Sequence, residues 1–374
     1  MDRVYLDYNA SAVIRPEVIA GVGEAMGAPH NASSVHGFGR EGRRLVEVAR
    51  DRVGAMTGCP AAQVIFNSGA TEGNNTVLRH FAQSYPEEQI LVSGVEHPSV
   101  LEGGVAAARI TVDADGIVDL AALEALLTAR KTSLVSVMFV NNETGVVQPI
   151  AEIASLAHRH GALFHCDGVQ AAGRIALDMA ALEVDFLTLS AHKIGGPQGV
   201  GALCLGLCGQ TPVLLQGGGQ EKSARAGTEN VAGIHGFGIA AELAVRDLDA
   251  FAANTGALQR RLEAGLADYE HVEIHGVGAA RVSNTTLFSL PNVSSETLLM
   301  AFDLEGVAVS NGSACSSGRV GASHVLEATG VAEGRALGAI RVSSGWASTP
   351  SDIDAFLAAF DKVYGRVKHK LGAE

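Results

Sequence analysis

Residues 185–203 read DFLTLSAHKIGGPQGVGAL, an apolar run that leads into Lys193 and is followed by a glycine-rich turn. A short apolar run bounded by turn residues is typical of a buried strand. Lys193 is the only lysine between Lys131 and Lys222. A lysine at a strand end is usually a solvated charge, so the stretch alone leaves open whether Lys193 is a surface residue or a chemical group.

The chain around this stretch alternates short apolar runs with helical patterns. The runs QVIF, ILVS, SLVSVMFV and ALFHC precede DFLTLS, and the helical patterns LAALEALLTAR and IAEIASLAHRHG lie among them. Such alternation predicts an α/β fold with a mainly parallel sheet that is covered on both faces. Residues 40–57 predict an amphipathic helix that ends at Gly58, and a longer helical pattern runs from about 231 to 268.

The length of 374 residues exceeds what one hydrophobic core usually organises, so two domains are expected. We predict a large domain over 15–250 and a smaller α+β domain over 251–374, with residues 1–14 packing against the small domain. The N-terminus lacks the basic and apolar segments of a secretory signal, and the default expectation is a cytoplasmic protein.

Charge and cysteine content narrow the function classes. The net charge of −13 disfavours nucleic acid and anionic membrane as partners and favours small molecules or proteins. The five cysteines show no C-x-x-C pair and suit reduced thiols better than a disulfide framework. No metal site is predicted.

Two further stretches carry polar groups at predicted strand ends. VIFNSGATEGNN runs from an apolar strand through Ser68 into a helix, where free N–H groups would suit a phosphate, or Thr71 would simply cap the helix. Asp167 ends the apolar run LFHCD, where it would face a ligand or cap the next helix. Strand ends of neighbouring βα units converge, so these groups and Lys193 can share one crevice.

That combination matches the needs of pyridoxal 5′-phosphate. The cofactor requires an anion site for its phosphate, a lysine amine, and often a carboxylate that keeps its ring nitrogen protonated. Together, the three groups predict this cofactor more strongly than any one of them does.

Nine segments in order resemble the NifS/IscS-like cysteine desulfurases, a group in the class V aminotransferase family of fold-type I pyridoxal-phosphate enzymes. They are YLDYNA, SGATEGNN, VEHPSV, VNNETGVVQPI, HCDGVQAAG, SAHKIGGPQGVGAL, RAGTEN, SNGSAC and IRVSSG. The resemblance covers nearly the whole chain. It implies a seven-stranded, mainly parallel sheet in the large domain and a cysteine-bearing loop in the small one.

The resemblance also implies a role for each site residue. Lys193 would carry the cofactor and move the substrate Cα proton, while Asp167 would pair with the ring nitrogen. Gln170 would reach the phenolic oxygen of the ring, His97 would stack on the ring and assist proton transfer, and Asn142 would lie near the ring and the substrate carboxylate. The residues implied to hold the phosphate are Ala70, Thr71, Ser190 and His192, with Thr228 reaching the phosphate of the other subunit of a homodimer. Without the resemblance, His97 and Asn142 would pass as turn residues and Gln170 as a satisfied amide.

The segment SNGSACSSGRVGAS places Cys315 in a Ser/Gly-rich context, unlike Cys204 in the apolar GALCL. The resemblance implies that Cys315 attacks the sulfur of cofactor-bound L-cysteine, so that L-alanine leaves and a persulfide remains. It further implies that Arg341 binds the substrate carboxylate and that Asn31 lies near the substrate.

The resemblance thus implies transfer of sulfur to protein acceptors such as an iron–sulfur scaffold. Three positions depart from the usual pattern, namely Ala32, Gln198 and Asn311, and none of them removes a catalytic group. Two alternatives stay open: another class V activity, such as selenocysteine lysis or aminotransfer, and a non-catalytic subunit of a sulfur-transfer complex.

Overall fold

A computed structural model describes residues 3–311 and 322–372 of the chain. Its strands are Val4–Tyr5 (β1), Val64–Asn67 (β2), Gln89–Ser93 (β3), Ala108–Ile110 (β4), Thr132–Ser136 (β5), Leu163–Asp167 (β6), Phe186–Ser190 (β7), Gly201–Leu205 (β8), Glu273–Ile274 (β9), Thr285–Ser289 (β10), Val307–Ala308 (β11) and Ala339–Ser343 (β12). Its helices are Pro16–Met26 (α1), Gly37–Thr57 (α2), Ala70–Ser84 (α3), Pro98–Leu101 (α4), Leu120–Ala129 (α5), Ile150–Arg159 (α6), Val231–Arg246 (α7), Leu248–Leu266 (α8), Ser295–Leu304 (α9), His324–Ala328 (α10), Glu333–Ala336 (α11) and Pro350–Leu371 (α12).

The main sheet has seven strands in the order β2-β8-β7-β6-β5-β3-β4. Only β8 runs antiparallel to its neighbours among these strands, and the other adjacent pairs are parallel. The prediction of a mainly parallel, seven-stranded sheet is confirmed. Because β2, β3, β5, β6 and β7 run in one direction, their carboxyl ends meet at the same edge, which is where open α/β sheets bind ligands.

Alternate residues of these strands face opposite sides of the sheet, as the two-residue period of a strand requires. Phe66 and Phe164 pack in a core with Phe237 of α7, while Leu134 and Phe186 pack on the other side with Phe81 of α3. Helices therefore cover both faces of the sheet, as the near-continuous apolar runs predict.

A second core forms around an antiparallel sheet of β9, β10 and β12. The N-terminal β1 pairs in parallel with β11, and Leu6 packs in this second core with Phe288 and Phe360. The N-terminal residues of the chain therefore pack in the same core as residues of its C-terminal part. The domain boundary near residue 250 stays a prediction, and α8 spans it.

One helix prediction differs from the structure, and one helix, α1, has no counterpart among the predictions. The single helix expected over 231–268 is two helices, because the backbone of Asp247 leaves the helical region and its carboxylate pairs with Arg15 at 2.7 Å. No pattern in the sequence predicts α1, because Gly21 and Gly23 interrupt it and only Val18 and Ala25 are buried on its surface.

Candidate active site

A cavity of about 500 Å³ opens at the carboxyl edge of the main sheet. Its walls come from the N-terminal segment Asn9–Ser11, from the ends of β2, β3, β5, β6 and β7 and the turns that follow them, and from one residue of β12. The predicted site residues that line it are Ala70, Thr71, His97, Asn142, Asp167, Gln170, Ser190, His192, Lys193 and Arg341. Residues far apart in sequence thus share one space.

One end of the cavity is the turn from β2 into α3. Gly69 has a φ of 148°, which disfavours other residues, and a side-chain carbon there would stand in open space with nothing within 4 Å. Ala70 and Thr71 begin α3, whose first N–H groups have no carbonyl inside the helix. The N-cap is Gly69 without a side-chain hydrogen bond, so the alternative in which Thr71 caps the helix is wrong. The backbone N–H groups at this end can therefore donate hydrogen bonds to a bound anion.

Glu72 also lines this end, and its carboxylate would oppose an anion if its charge were uncompensated. Arg225 donates from Nε to Glu72 at 3.0 Å, and Ser68 donates to it from its backbone N at 3.0 Å and from its hydroxyl. Burial raises the pKa of Glu72, but these hydrogen bonds offset that effect and the net pKa is lowered. The pair with Arg225 removes most of the negative charge from the anion end.

Asp167, the last residue of β6, is 5% exposed and lies in the wall of the cavity. Its Oδ2 accepts from Nδ2 of Asn74 at 2.7 Å, and its Oδ1 accepts from the backbone N of Val169 at 3.0 Å. Asn74 is fully buried and donates from the same nitrogen to Ser99. Two hydrogen bonds therefore fix the carboxylate at the strand end.

Asn74 is a site residue that the sequence reasoning missed. It lies four residues after Ala70, one helical turn along α3, so the spacing gave a signal that it faces the same side as the anion end. Nothing in the sequence pairs it with Asp167, which lies 93 residues later.

His97 is the N-cap residue of α4 and lines the cavity. Its Nδ1 accepts a hydrogen bond from the backbone N of Ser99 at 3.1 Å. A neutral imidazole that accepts at Nδ1 carries its proton on Nε2. His97 is thus both the turn residue that its sequence context suggests and a group at the site.

Lys193 lies in a short 3₁₀ turn, Ala191–Ile194, that follows β7. Its half-buried ammonium donates to the carbonyl of Asn9 at 2.6 Å and to that of Ala10 at 2.8 Å. Next to it, burial and the charge of Lys193 lower the pKa of His192 to about 4, so His192 is a neutral donor or acceptor at neutral pH. The interpretation of Lys193 as an ordinary solvated surface charge is wrong.

Arg341 lies inside β12 and is 2% exposed, so the alternative of a surface charge is also wrong. It donates from Nη2 to Asp7 at 2.8 Å and from Nη1 to the carbonyl of Asn142 at 2.9 Å. Its buried Nε has no hydrogen-bond partner in the described part of the chain. The guanidinium is held in place yet keeps donor capacity for a ligand such as a carboxylate.

Two predicted residues that the structure describes, Asn31 and Thr228, are not in this cavity. Asn31 is exposed and accepts from the backbone N of Ser33. Thr228 lines a separate, smaller cavity of about 190 Å³. Cys315 lies outside the described residues.

The four described cysteines are free thiols, and three of them are buried. Burial raises the pKa of Cys166 well above its ordinary value and also raises that of Cys208. A hydrogen bond between the thiols of Cys59 and Cys204 raises the pKa of Cys204 and lowers that of Cys59. The thiols of Cys166, Cys204 and Cys208 are therefore harder to ionise than an ordinary cysteine, and Cys59 is buried in the core.

The chemistry of the lining residues fits pyridoxal 5′-phosphate. N–H and hydroxyl donors form one end, the fixed carboxylate of Asp167 lies in the wall, and the amine of Lys193 lies within the same cavity. The volume is in the range of small-ligand sites, and Arg341 lines the same cavity.

A parallel sheet with a lysine, an aspartate and an anion turn at its carboxyl edge defines an α/β protein with a cofactor-type site. Residues 4–356 match the family model described as aminotransferase class-V, and the chain belongs to that family.

Relatives with names and solved structures resemble the chain over nearly its whole length. A protein of Cereibacter sphaeroides named cysteine desulfurase is 40% identical, over 98% of this chain and 97% of that protein. A protein of Dictyoglomus turgidum named cysteine desulfurase IscS is 38% identical, over 98% and 95%. The X-ray structure of a NifS-like protein from Rickettsia africae superposes with a TM-score of 0.91 at 38% identity and covers 97% of this chain and 99% of that one.

Within residues 3–311 and 322–372, no helix has the length and apolar character that crossing a membrane requires.

Proposed function

We propose that the protein is a pyridoxal-phosphate-dependent cysteine desulfurase, which converts L-cysteine to L-alanine and keeps the sulfur as a persulfide on Cys315. The observation that carries the proposal is the convergence of Lys193, Asp167 and Arg341 on one cavity. The names of the relatives and the family of the chain support the same reaction class.

The cofactor, when bound, supplies an electron sink next to the substrate Cα. Ala70, Thr71, Ser190 and the neutral His192 would hold its phosphate, and the fixed carboxylate of Asp167 would keep a proton on its ring nitrogen. Lys193 would bind it covalently through Nζ, which the carbonyls of Asn9 and Ala10 hold in place.

Arg341 would bind the substrate carboxylate, because a buried guanidinium with free donors forms strong, oriented hydrogen bonds to that group. This fixes the substrate Cα within reach of Lys193, which moves the Cα proton at Nζ. Because Nδ1 accepts from Ser99, a neutral His97 would carry its proton on Nε2 and could deliver it inside the same cavity. Asn142 orients Arg341 through its backbone carbonyl.

The sulfur step needs one further residue, and Cys315 is our candidate. Its thiol and L-cysteine would give Cys315 persulfide and L-alanine, so that the C–S bond of the substrate breaks and an S–S bond forms with no outside oxidant. The persulfide sulfur would then pass to protein acceptors, for which an iron–sulfur scaffold is our proposal. The poor thiolate character or core burial of the other four cysteines supports this choice.

We further propose a cytoplasmic homodimer in which Thr228 reaches the phosphate of the partner subunit. Thr228 lies outside the 500 Å³ cavity of its own chain. Arg225, three residues earlier, is tied to Glu72 at the anion end, which holds the start of this segment near the cofactor site. Thr228→Ala should weaken cofactor retention in the dimer, and a monomer at micromolar concentration in sedimentation velocity would contradict the proposal.

The test is to mix purified protein with L-cysteine and a reductant and to measure alanine and sulfide. Wild type should release the two in equal amounts, Cys315→Ala should release neither at a comparable rate, and Cys208→Ala is the matched control that should keep the wild-type rate. Alanine without sulfide, or full desulfuration by Cys315→Ala, would contradict the mechanism. Lys193→Ala should lose the visible absorbance of lysine-bound cofactor, and a retained band would contradict the cofactor assignment.

A further inference from the structure

The side-chain amide of Gln170 is held from two sides. Its Nε2 donates to the carbonyl of Asn9 at 3.0 Å, and its Oε1 accepts from Nη1 of Arg174. Flipping the amide would face its oxygen to a carbonyl oxygen and its NH₂ to a guanidinium, which has no acceptor. The amide therefore has one orientation, and the hydrogen left on Nε2 can only be donated.

Arg174 has no direct access to the cavity that Gln170 lines. It is 5% exposed, and it lines instead a cavity of about 20 Å³ on the other side, together with Arg15 and Asp247. Its Nη1 also donates to the backbone carbonyl of Gln170 at 2.7 Å. Both hydrogen bonds bind Arg174 to one residue, so Arg174 can position groups in the cavity only through Gln170.

The charge of Arg174 is unusual for its burial. No carboxylate pairs with it among residues 3–311 and 322–372, whereas Arg50 pairs with Glu221 and Glu47, and Arg341 pairs with Asp7. Burial and the neighbouring charge of Arg341 lower the pKa of Arg174 to about 9. A buried cation without a partner carboxylate is costly unless an anionic group lies near it.

The position of Gln170 relative to Lys193 shows where such an anionic group would be. The Asn9 carbonyl accepts from Gln170 at 3.0 Å and from Lys193 at 2.6 Å, so the two nitrogens lie next to each other. In pyridoxal phosphate the phenolic oxygen is on the ring carbon adjacent to the one that bears the aldehyde. When the lysine nitrogen bonds to that aldehyde carbon, the phenolic oxygen lies beside it, within reach of a donor next to the lysine.

We propose that Arg174 is a positioning residue that fixes Gln170 as a hydrogen-bond donor, backed by a buried positive charge, to the anionic ring oxygen of the cofactor beside Lys193. The inference rests on the proposed cofactor. Removing a proton from the lysine–cofactor unit makes it more negative, so a donor and a nearby cation favour the unprotonated form. Arg174 thus tunes the protonation of the cofactor without touching it.

The test is a pH titration of the visible absorbance of the lysine-bound cofactor, measured without L-cysteine. Arg174→Met should raise the midpoint by about one pH unit, a tenfold change in the proton dissociation constant. Arg174→Lys, which keeps the charge, should raise it by less than half as much, and this variant serves if the Met variant folds poorly. Arg15→Met is the matched control. Arg15 is a buried arginine beside the same small cavity, but it does not bind Gln170, so its removal should shift the midpoint much less.

A double variant separates positioning from a general charge effect. In a Gln170→Leu background, Arg174→Met should shift the midpoint clearly less than it does in the wild type, because only the through-space effect of the charge remains. An equal shift in that background, an equal shift from Arg15→Met, or an unchanged midpoint in Arg174→Met would each overturn the proposal. The titration is independent of desulfuration: a wild type with the band but no sulfide release would contradict only the proposed reaction, and a wild type without the band would contradict the cofactor.

Discussion

Arg50 and Arg341 are both buried guanidinium groups beside a carboxylate, and their side chains are 4% and 2% exposed. Arg50 binds both oxygens of Glu221, at 2.8 and 2.9 Å, and also donates to Glu47 and to the carbonyl of Val64. Arg341 binds one oxygen of Asp7, donates to one carbonyl, and keeps a buried Nε without a partner among the described residues.

The difference in pairing distinguishes an arginine that stabilises the fold, Arg50, from one that can bind a ligand, Arg341. A fully paired ion pair such as Arg50–Glu221 ties α2 to the segment before α7 and faces no substrate cavity of the size of the main one. An under-used guanidinium costs stability, since buried donors are normally satisfied, and its presence in a cavity wall indicates a ligand. Carboxylates also differ in how fully they are paired: Glu221 is fully paired, whereas buried Glu96, which does not line the main cavity, has one oxygen without a partner in the described chain.

The largest effect is expected from breaking the satisfied pair. Arg50→Met should lower the free energy of unfolding by about 3–5 kcal/mol, because it leaves Glu221 buried and uncompensated. Chemical denaturation measures this loss, and the double variant Arg50→Met/Glu221→Leu should recover most of it. The folded single variant should keep the wild-type KM for L-cysteine. A raised KM with unchanged stability would show that Arg50 acts on the substrate and not on the fold.

The next effect is expected from Arg341→Lys, which replaces a planar fork by a point charge. We expect kcat/KM for L-cysteine to fall about 100-fold, about 2.7 kcal/mol, mainly through KM. Stability should change less than in Arg50→Met, since Asp7 keeps partial solvent access. Steady-state kinetics check the prediction, and a KM within twofold of wild type would remove Arg341 from the substrate site.

A smaller effect concerns Glu96, whose pKa burial raises to about 8. The folded protein keeps a proton there that the unfolded chain releases, so stability is present below about pH 4.5 and is lost as the pH rises through 8. Burial lowers the pKa of His165 and of His192 to about 4, which acts in the opposite sense but only below about pH 6.5.

Between pH 6.5 and 8 the proton on Glu96 therefore acts without opposition from these two histidines. There Glu96→Gln should flatten the fall of the unfolding free energy by up to about 1.4 kcal/mol per pH unit, measured by denaturation at several pH values. Glu124→Gln, on the exposed side of α5, is the control. An identical slope in wild type and Glu96→Gln would show that Glu96 is ionised in the folded protein.

Much of this site could be predicted from the sequence because its parts end apolar strands. Lys193, Asp167 and the Ser68–Thr71 turn follow β7, β6 and β2, and parallel strands bring such ends together. The direction of β8 could not be predicted, because a buried apolar strand has the same pattern in either orientation.

The hydrogen-bond partners that fix the site residues could not be predicted from the sequence. Asp7 and Arg341 are 334 residues apart, and Asn74 and Asp167 are 93 apart. These contacts depend on how β1, β11 and β12 assemble and on how α3 lies against the sheet. No local spacing encodes either, and the same holds for the shared Asn9 carbonyl between Gln170 and Lys193.

The central claim is that this cavity delivers the sulfur of L-cysteine to Cys315, and mass spectrometry of the peptides after one turnover tests it most directly. The account predicts one added sulfur atom on the peptide that contains Cys315 in wild type and in Arg50→Lys, with none in Lys193→Ala and little in Arg341→Lys. Added sulfur on Cys59, Cys166, Cys204 or Cys208 instead, or on Cys315 in Lys193→Ala at the wild-type level, would contradict it.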